Sequence, residues 1–192
     1  MNLNKLFPFA LLRAAVTIIA DQVGKYRALK LNSFFPFALL LATVIIIADQ
    51  ISKYWIMYGL KLREYPNGHL ELSPIADLTF VWNRGVSFGM FAADGMLGRV
   101  LLSLFALLVI VLVLLWLLKA DNRFISIALG MIIGGAIGNL IDRIQYGMVV
   151  DFINFSDIYF IWVFNIADAS ISIGAVLILI EAIILEPRRK RV

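Results

Sequence analysis

The chain has 192 residues, of which 62% are hydrophobic and 16% charged, with a mean hydropathy of +0.93. A soluble domain is nearer half apolar and a quarter charged, and so short a chain has too little interior to hide the excess; a lipid-facing surface remains, and disordered, collagen-like and coiled-coil classes are excluded. The absence of cysteine removes disulfides and thiol chemistry, His69 alone cannot build a histidine metal centre, and much of the net charge of +4 sits in Arg188, Arg189, Lys190 and Arg191, which read as a cytoplasmic anchor and not as a nucleic-acid surface.

In chain order, the first feature is a near-duplication. Phe7-Pro8-Phe9-Ala10-Leu11-Leu12 and Ile18-Ile19-Ala20-Asp21-Gln22 recur 28 positions later as Phe35-Pro36-Phe37-Ala38-Leu39-Leu40 and Ile46-Ile47-Ala48-Asp49-Gln50, and Lys25-Tyr26 as Lys53-Tyr54. Two copies are too few for a solenoid. Arg13 stands where the second copy has Leu41, and a central arginine costs about 2.5–3.5 kcal/mol in a spanning helix. Residues 1–33 are therefore expected to be an interfacial or poorly anchored extension in preference to a fifth span, with a misassigned start also open.

Four stretches have the roughly 20 apolar residues that cross a bilayer core. The first, about 34–57, carries Asp49, Gln50 and Lys53 in its later half. Asp49 and Lys53 are four apart and can pair on one face; the plainer alternative is an ion pair near a helix end, with Lys53 reaching to the interface. Between 61 and 99, Pro66, Asn67-Gly68 and Pro74 flank the near-alternating Leu78-Thr79-Phe80-Val81-Trp82, which predicts a small sheet outside the bilayer core. His69, beside Asn67-Gly68, reads as a surface turn residue. Asn83-Arg84-Gly85-Val86-Ser87-Phe88-Gly89 suits a loop that covers a ligand, although glycine-containing loops are common.

The second span, 100–118, is closed by Lys119, Asp121 and Arg123. The third, 124–141, contains Gly130, Gly134, Gly135 and Gly138, small residues that let helix backbones approach closely. Asn139, Asp142 and Arg143 follow it and can share a face, either as site residues or as a helix-end polar network. The connection 145–164 is rich in aromatics (Tyr146, Phe152, Phe155, Tyr159, Phe160 and Trp162), a composition that favours the membrane interface. The fourth span, 167–185, is approached by Asn165, begins near Asp168 and is interrupted by Glu181; the basic tail 188–192 follows. With four spans, the basic loop at 119–123 and the basic tail share one side. Positive-inside bias makes that side the cytoplasm, so 61–99 and 145–164 face outward together.

Ionisable side chains in or beside spans are functional candidates because they are costly there. Asp151 lies in Val149-Val150-Asp151-Phe152-Ile153 and Asp168 in Asn165-Ile166-Ala167-Asp168-Ala169-Ser170, both apolar settings. A hairpin connection can bring the two carboxylates together at the mouth of spans three and four. Like charges at close range cannot both ionise cheaply, so one would hold a proton while the other acts as base. That is what activating water against a peptide bond requires without a metal or covalent intermediate. Two unrelated interfacial acids are the alternative, and a serine–lysine hydrolase using Ser52 or Ser170 has only weak support.

Taken in order, Asp49-Gln50-Ile51-Ser52-Lys53, Asn83-Arg84-Gly85-Val86-Ser87-Phe88, Gly138-Asn139-Leu140-Ile141-Asp142-Arg143, Val149-Val150-Asp151-Phe152 and Phe164-Asn165-Ile166-Ala167-Asp168 resemble the lipoprotein signal peptidases, signal peptidase II, over about residues 34–187. The resemblance implies a four-transmembrane-helix bundle, an all-α membrane protein with a small β cradle and a loop on the outer membrane surface. It implies an aspartic endopeptidase that removes prolipoprotein signal peptides by cutting before the diacylglyceryl-modified cysteine, without metal or cofactor. Asp151 and Asp168 fall on the family's catalytic pair. Asp49, Lys53, Asn83, Gly85, Asn139, Asp142, Arg143, Asn165 and Ala167 match positions that support the site or hold substrate. Arg84 and Val86 depart from the small or neutral residues common in that loop. The duplicated N-terminus is not a family feature, so Asp21-Gln22 is read as a non-functional imitation of the first motif. The expected partners are the prolipoprotein and membrane lipids; no nucleic acid is expected, and the chain should be a monomer in the bacterial inner membrane.

Two rival classes use the same residues. A small proton-coupled transporter could relay protons through intramembrane carboxylates, but apart from Glu181 the acids outside the repeat cluster near the outward ends of spans. A membrane structural subunit explains the hydrophobicity and leaves the two aspartates without a reason.

Overall fold

The computed structural model describes residues 33–85 and 96–186. Expectations for residues 1–32, for the loop from Val86 to Gly89 and for the basic tail lie outside the described residues.

Four helices are long and apolar enough to cross a membrane. Helix α1, Phe35–Tyr54, has Pro36 in its first turn, where a missing N–H costs nothing, and continues as a wide turn over Trp55–Gly59. Helix α2, Met96–Lys119, spans 24 residues, about 36 Å at 1.5 Å per residue. Helix α3, Arg123–Tyr146, starts where the Asn122 side chain accepts the Ile125 N–H at 2.9 Å, and stops at Gly147, whose φ of +72° suits a glycine. Helix α4, Ile166–Ile180, continues as a wide turn over Glu181–Leu185.

Strands β1 (His69–Glu71), β2 (Asp77–Asn83), β3 (Val149–Phe155) and β4 (Phe160–Phe164) form one antiparallel sheet in the order β1-β2-β3-β4. The chain enters and leaves this sheet from α1, α3 and α4 at one end of the bundle. Val81 pairs with Asp151 and Asn83 with Val149, while Ile153 pairs with Phe164.

The small sheet expected between 61 and 99 is therefore present, but half of it comes from the segment read as an interfacial connection. Strand β3 is buried along most of its length, so it lacks the alternation that marks a half-buried strand. Strand β4 keeps the interfacial character, with Phe160, Ile161 and Trp162 exposed. His69 also departs from its reading as a turn residue: it is half-buried in β1, 2.9 Å from Thr79 Oγ1. Helix α3 runs on to Tyr146, so Asn139, Asp142 and Arg143 lie within it and do not follow it.

Helix α3 is the central element, packed against α1, α2 and α4. In its most apolar window 61% of residues are buried, against 11% for α2, whose surface is left for lipid. Gly130, Gly134 and Gly138, one turn apart, face α1. A Cβ there would come within 2.6 Å of the Ala38 carbonyl oxygen, 2.8 Å of the Ala42 carbonyl oxygen and 2.6 Å of Asp49 Oδ2, respectively. Gly174 is the counterpart on α4, where a Cβ would lie 2.7 Å from the Ala128 carbonyl oxygen. Ala38, Ala42, Leu117, Leu129 and Ile133 fill the helix core, and Ile56, Leu62, Val150 and Phe152 fill the core beneath the sheet.

Candidate active site

Close helix packing at Gly134 and Gly138 brings the polar face of α1 against α3. Lys53, fully buried, places Nζ 2.8 Å from Asp49 Oδ2 and 2.9 Å from Asp142 Oδ2, and donates to Asn139 Oδ1 at 3.1 Å. Gln50 Nε2 is within hydrogen-bond reach of Asp142 Oδ1 at 3.0 Å, and of Asp49 Oδ2 and the Gly138 carbonyl at 3.2 Å. Asp49 Oδ1 accepts the Ala167 N–H at 3.0 Å, and Asp142 Oδ2 accepts the Val150 N–H at 3.1 Å. The ion-pair cluster thus grips the backbone immediately before Asp168 and immediately before Asp151.

A second layer consists of neutral amides. Asn165 caps α4: its Oδ1 accepts the Asp168 N–H at 2.9 Å, and Asp168 Oδ2 accepts the Asn165 N–H at 3.4 Å. With Oδ1 so committed, Nδ2 donates to Asp151 Oδ1 at 2.7 Å, with Asn139 Oδ1 at 3.1 Å and the Val150 carbonyl at 3.2 Å also in range. Asn139 Oδ1 faces Lys53, so its Nδ2 turns to Asp168 Oδ1 at 2.7 Å. Asn83 is oriented in the same way: its Oδ1 accepts the Gly85 N–H at 2.9 Å and its Nδ2 donates to Asp151 Oδ2 at 2.9 Å. Gly85 holds a φ of +133°, a conformation that favours glycine.

Each oxygen of Asp151 and Asp168 thus meets an N–H from an uncharged amide, and the lysine that could neutralise them is held one layer away. Asp151 is 2% exposed, and its carboxyl is pushed up from 3.8 to about 7. Burial is the main cause and the charge of Asp168 the second; the bonds from Asn83 and Asn165 and the charge of Lys53 oppose them. Two carboxylates that share amide donors, one holding a proton near neutral pH, can act as a general acid and base on one water molecule.

All eleven residues singled out from the sequence meet in this region. Arg143 is the most peripheral: it donates to the Asn139 carbonyl at 3.3 Å and lies within electrostatic reach of Asp168, Asp142 and Asp151. Gln50, the amide of the first motif, joins the network as well, although an amide beside two charged groups gives no separate signal in sequence. The serine–lysine reading finds no geometry, since Ser52 Oγ donates to the Asp49 carbonyl at 2.7 Å and Ser170 Oγ to the Ala167 carbonyl at 2.8 Å. His69 lies on β1, hydrogen-bonded to Thr79 and outside this network.

Comparison with known proteins gives a consistent result. Residues 41–184 match the family model for Signal peptidase (SPase) II. The chain is 47% identical over 177 residues to the lipoprotein signal peptidase of Caulobacter vibrioides, covering 92% of this chain and 87% of that one. It is 40% identical over 141 residues to the lipoprotein signal peptidase of Rhodopseudomonas palustris, covering 71% and 85%. Its structure is similar to that of a bacterial membrane enzyme determined by the in meso method at 2.3 Å resolution, with a TM-score of 0.69, 28% identity and coverage of 82% of this chain and 93% of that one.

Proposed function

Because this chain belongs to the signal peptidase II family, we propose that it removes signal peptides from bacterial prolipoproteins as an aspartic endopeptidase, cutting before the diacylglyceryl-modified cysteine. It is a multi-pass bacterial membrane protein with four apolar spans. Asp151 and Asp168 are the catalytic pair in this reading, and the observation that carries it is the ring of neutral amides joining them at the sheet end of the bundle. Two acids on separate elements, each with both oxygens oriented, are costly for a merely structural purpose.

In the mechanism, the substrate's signal helix docks beside the spans with its lipid chains still in the bilayer, and the scissile bond reaches the carboxylates. Asp151, raised above an ordinary aspartate by its burial, holds the shared proton at rest and gives it to the carbonyl oxygen. Asp168 takes a proton from the attacking water and delivers it to the leaving amine as the C–N bond breaks, while the collapsing gem-diol returns a hydroxyl proton to Asp151. Asn165 and Asn139 hold the two carboxylates in register. Lys53, Asp49, Asp142 and Ala167 fix the backbone beside them, and Arg143 shapes the local field. Lys119 and Arg123 flank the short loop between α2 and α3, and under the positive-inside rule they support a site on the outer face of the inner membrane and a cytoplasmic C-terminus.

The test is cleavage of a synthetic lipobox peptide, with and without a diacylglyceryl group on its cysteine, by the purified protein in detergent. Cleavage before the lipidated cysteine is expected, falling by about 10²–10⁴-fold in Asp151→Asn and in Asp168→Asn. Wild-type rates in both folded variants would end the dyad assignment.

A further inference from the structure

A cavity of about 600 Å³ lies between the sheet-end halves of α2 and α3, outside the amide network. Val100, Leu104 and Leu107 of α2 and Leu140 of α3 wall it, and the guanidinium-bearing Arg99 and Arg143 line the same cavity. The three α2 residues are also exposed, so the cavity opens toward the surface that the bundle presents to lipid. Among the described residues lining it there is no carboxylate.

Arg99 and Arg143 are not equivalent. Arg143 is committed to the Asn139 carbonyl and to the field of three carboxylates. Arg99 lies flat on Gly147: a Cβ at that glycine would stand 2.6 Å from Nη1 and 2.7 Å from Cζ and Nε. The missing side chain at the end of α3 is what lets the guanidinium lie over the cavity, and among the described residues Arg99 has no carboxylate partner. A guanidinium presents a planar fork of donors suited to phosphate. Here it sits one turn into a spanning helix, at the depth where lipid headgroups meet acyl chains.

From this juxtaposition we infer that the cleft between α2 and α3 binds an anionic phospholipid, its phosphate on Arg99 and one acyl chain along Val100, Leu104, Leu107 and Leu140. The positive charge argues for the occupant. A diacylglyceryl thioether is neutral and would leave Arg99 without an anion among the described residues, and a zwitterionic lipid would bring a compensating cation. The inference does not depend on the catalytic assignment of Asp151 and Asp168, because Arg99 touches neither.

The experiment is native mass spectrometry of the full-length protein released from detergent after equilibration with equal amounts of phosphatidylglycerol or phosphatidylcholine. Wild-type protein is expected to retain phosphatidylglycerol about tenfold more than phosphatidylcholine, as one charge-assisted contact allows. Arg99→Gln should lose most of that preference, Arg99→Lys should keep part of it, and Lys119→Gln, at the opposite end of α2, should keep all of it. Equal retention of the two lipids by wild-type protein would overturn the inference without recourse to any variant. An unchanged preference in folded Arg99→Gln would overturn it as well. So would displacement of bound phosphatidylglycerol by an equimolar diacylglyceryl lipopeptide, since the cleft would then belong to the substrate.

Discussion

Replacing Lys53 by methionine keeps the length of the side chain and removes one charge from a site where nothing can replace it. Lys53 Nζ is within 2.9 Å of both Asp49 and Asp142, and the lysine is 1% exposed. Without it, two buried carboxylates face each other across a gap lined by Gln50, with Ala167 and Val150 N–H groups as their remaining donors. Removing one partner of a buried ion pair costs about 3–5 kcal/mol, because the uncompensated charge remains in low dielectric. For a chain of this size that corresponds to a fall of roughly 6–20 °C in unfolding temperature. The damage should reach the chemistry, since Asp49 and Asp142 hold the residues immediately before Asp168 and Asp151. The assay pairs thermal unfolding in detergent with lipopeptide cleavage below the variant's unfolding temperature. The triple variant Lys53→Met, Asp49→Asn, Asp142→Asn leaves no charge in the cluster and should recover most of the stability. An unfolding temperature for Lys53→Met within about 1 °C of wild type would refute the argument that this lysine neutralises the interior.

Four further outcomes follow from the same geometry. Asp151 has a carboxyl at about 7 against an ordinary 3.8, so the folded protein binds the extra proton across that window. Its contribution to stability is complete below about pH 4 and is lost as pH rises through 7, so unfolding temperature should fall between pH 5 and pH 8.5, and less so in Asp151→Asn. If Asp151 holds the catalytic proton, kcat/KM for the lipopeptide should decline on the alkaline side near pH 7. Asn83→Ala removes a bond that favours the charged form and should move that limb upward by roughly one pH unit; a limb that stays put would separate Asn83 from the titration. Gly134→Ala would drive a Cβ to 2.8 Å from the Ala42 carbonyl oxygen and 3.0 Å from Ile45 Cβ. Overpacking of this kind costs about 1–3 kcal/mol, and an unchanged unfolding temperature would mean that α1 and α3 can separate at little cost.

Hydropathy made the four helices legible because each apolar run is about as long as a bilayer is thick. The Asp49–Lys53 pair was legible because both residues lie on one helix, one turn apart. Strands β3 and β4 were hidden for opposite reasons: β3 is buried on both faces and shows no alternation, whereas β4 looks like an interfacial aromatic segment and keeps that exposure while pairing. The role of Asn165 could be anticipated only through family resemblance. Its amide bridges Asp151, Asn139 and the start of α4 across 14 to 26 positions of sequence, and no local pattern encodes such contacts. The four-residue spacing of Gly130, Gly134 and Gly138 could be read directly, but not the neighbour it faced, since α2 and α4 also lie beside α3.

The pairing of Lys53 has a consequence for the order in which the protein is made. Asp49 lies in the same helix, so the ammonium enters the bilayer with a counter-ion already 2.8 Å away. Asp142 belongs to a span that leaves the ribosome 142 minus 53, or 89, residues later. When it arrives, the second carboxylate joins a pair that is already neutral, and Gln50 and the Val150 N–H share its charge. Asp168 comes last, on the final helix. Biogenesis therefore proceeds from a self-compensated first span to a fully connected polar interior, and the two acidic groups face each other only after the last helix has been threaded.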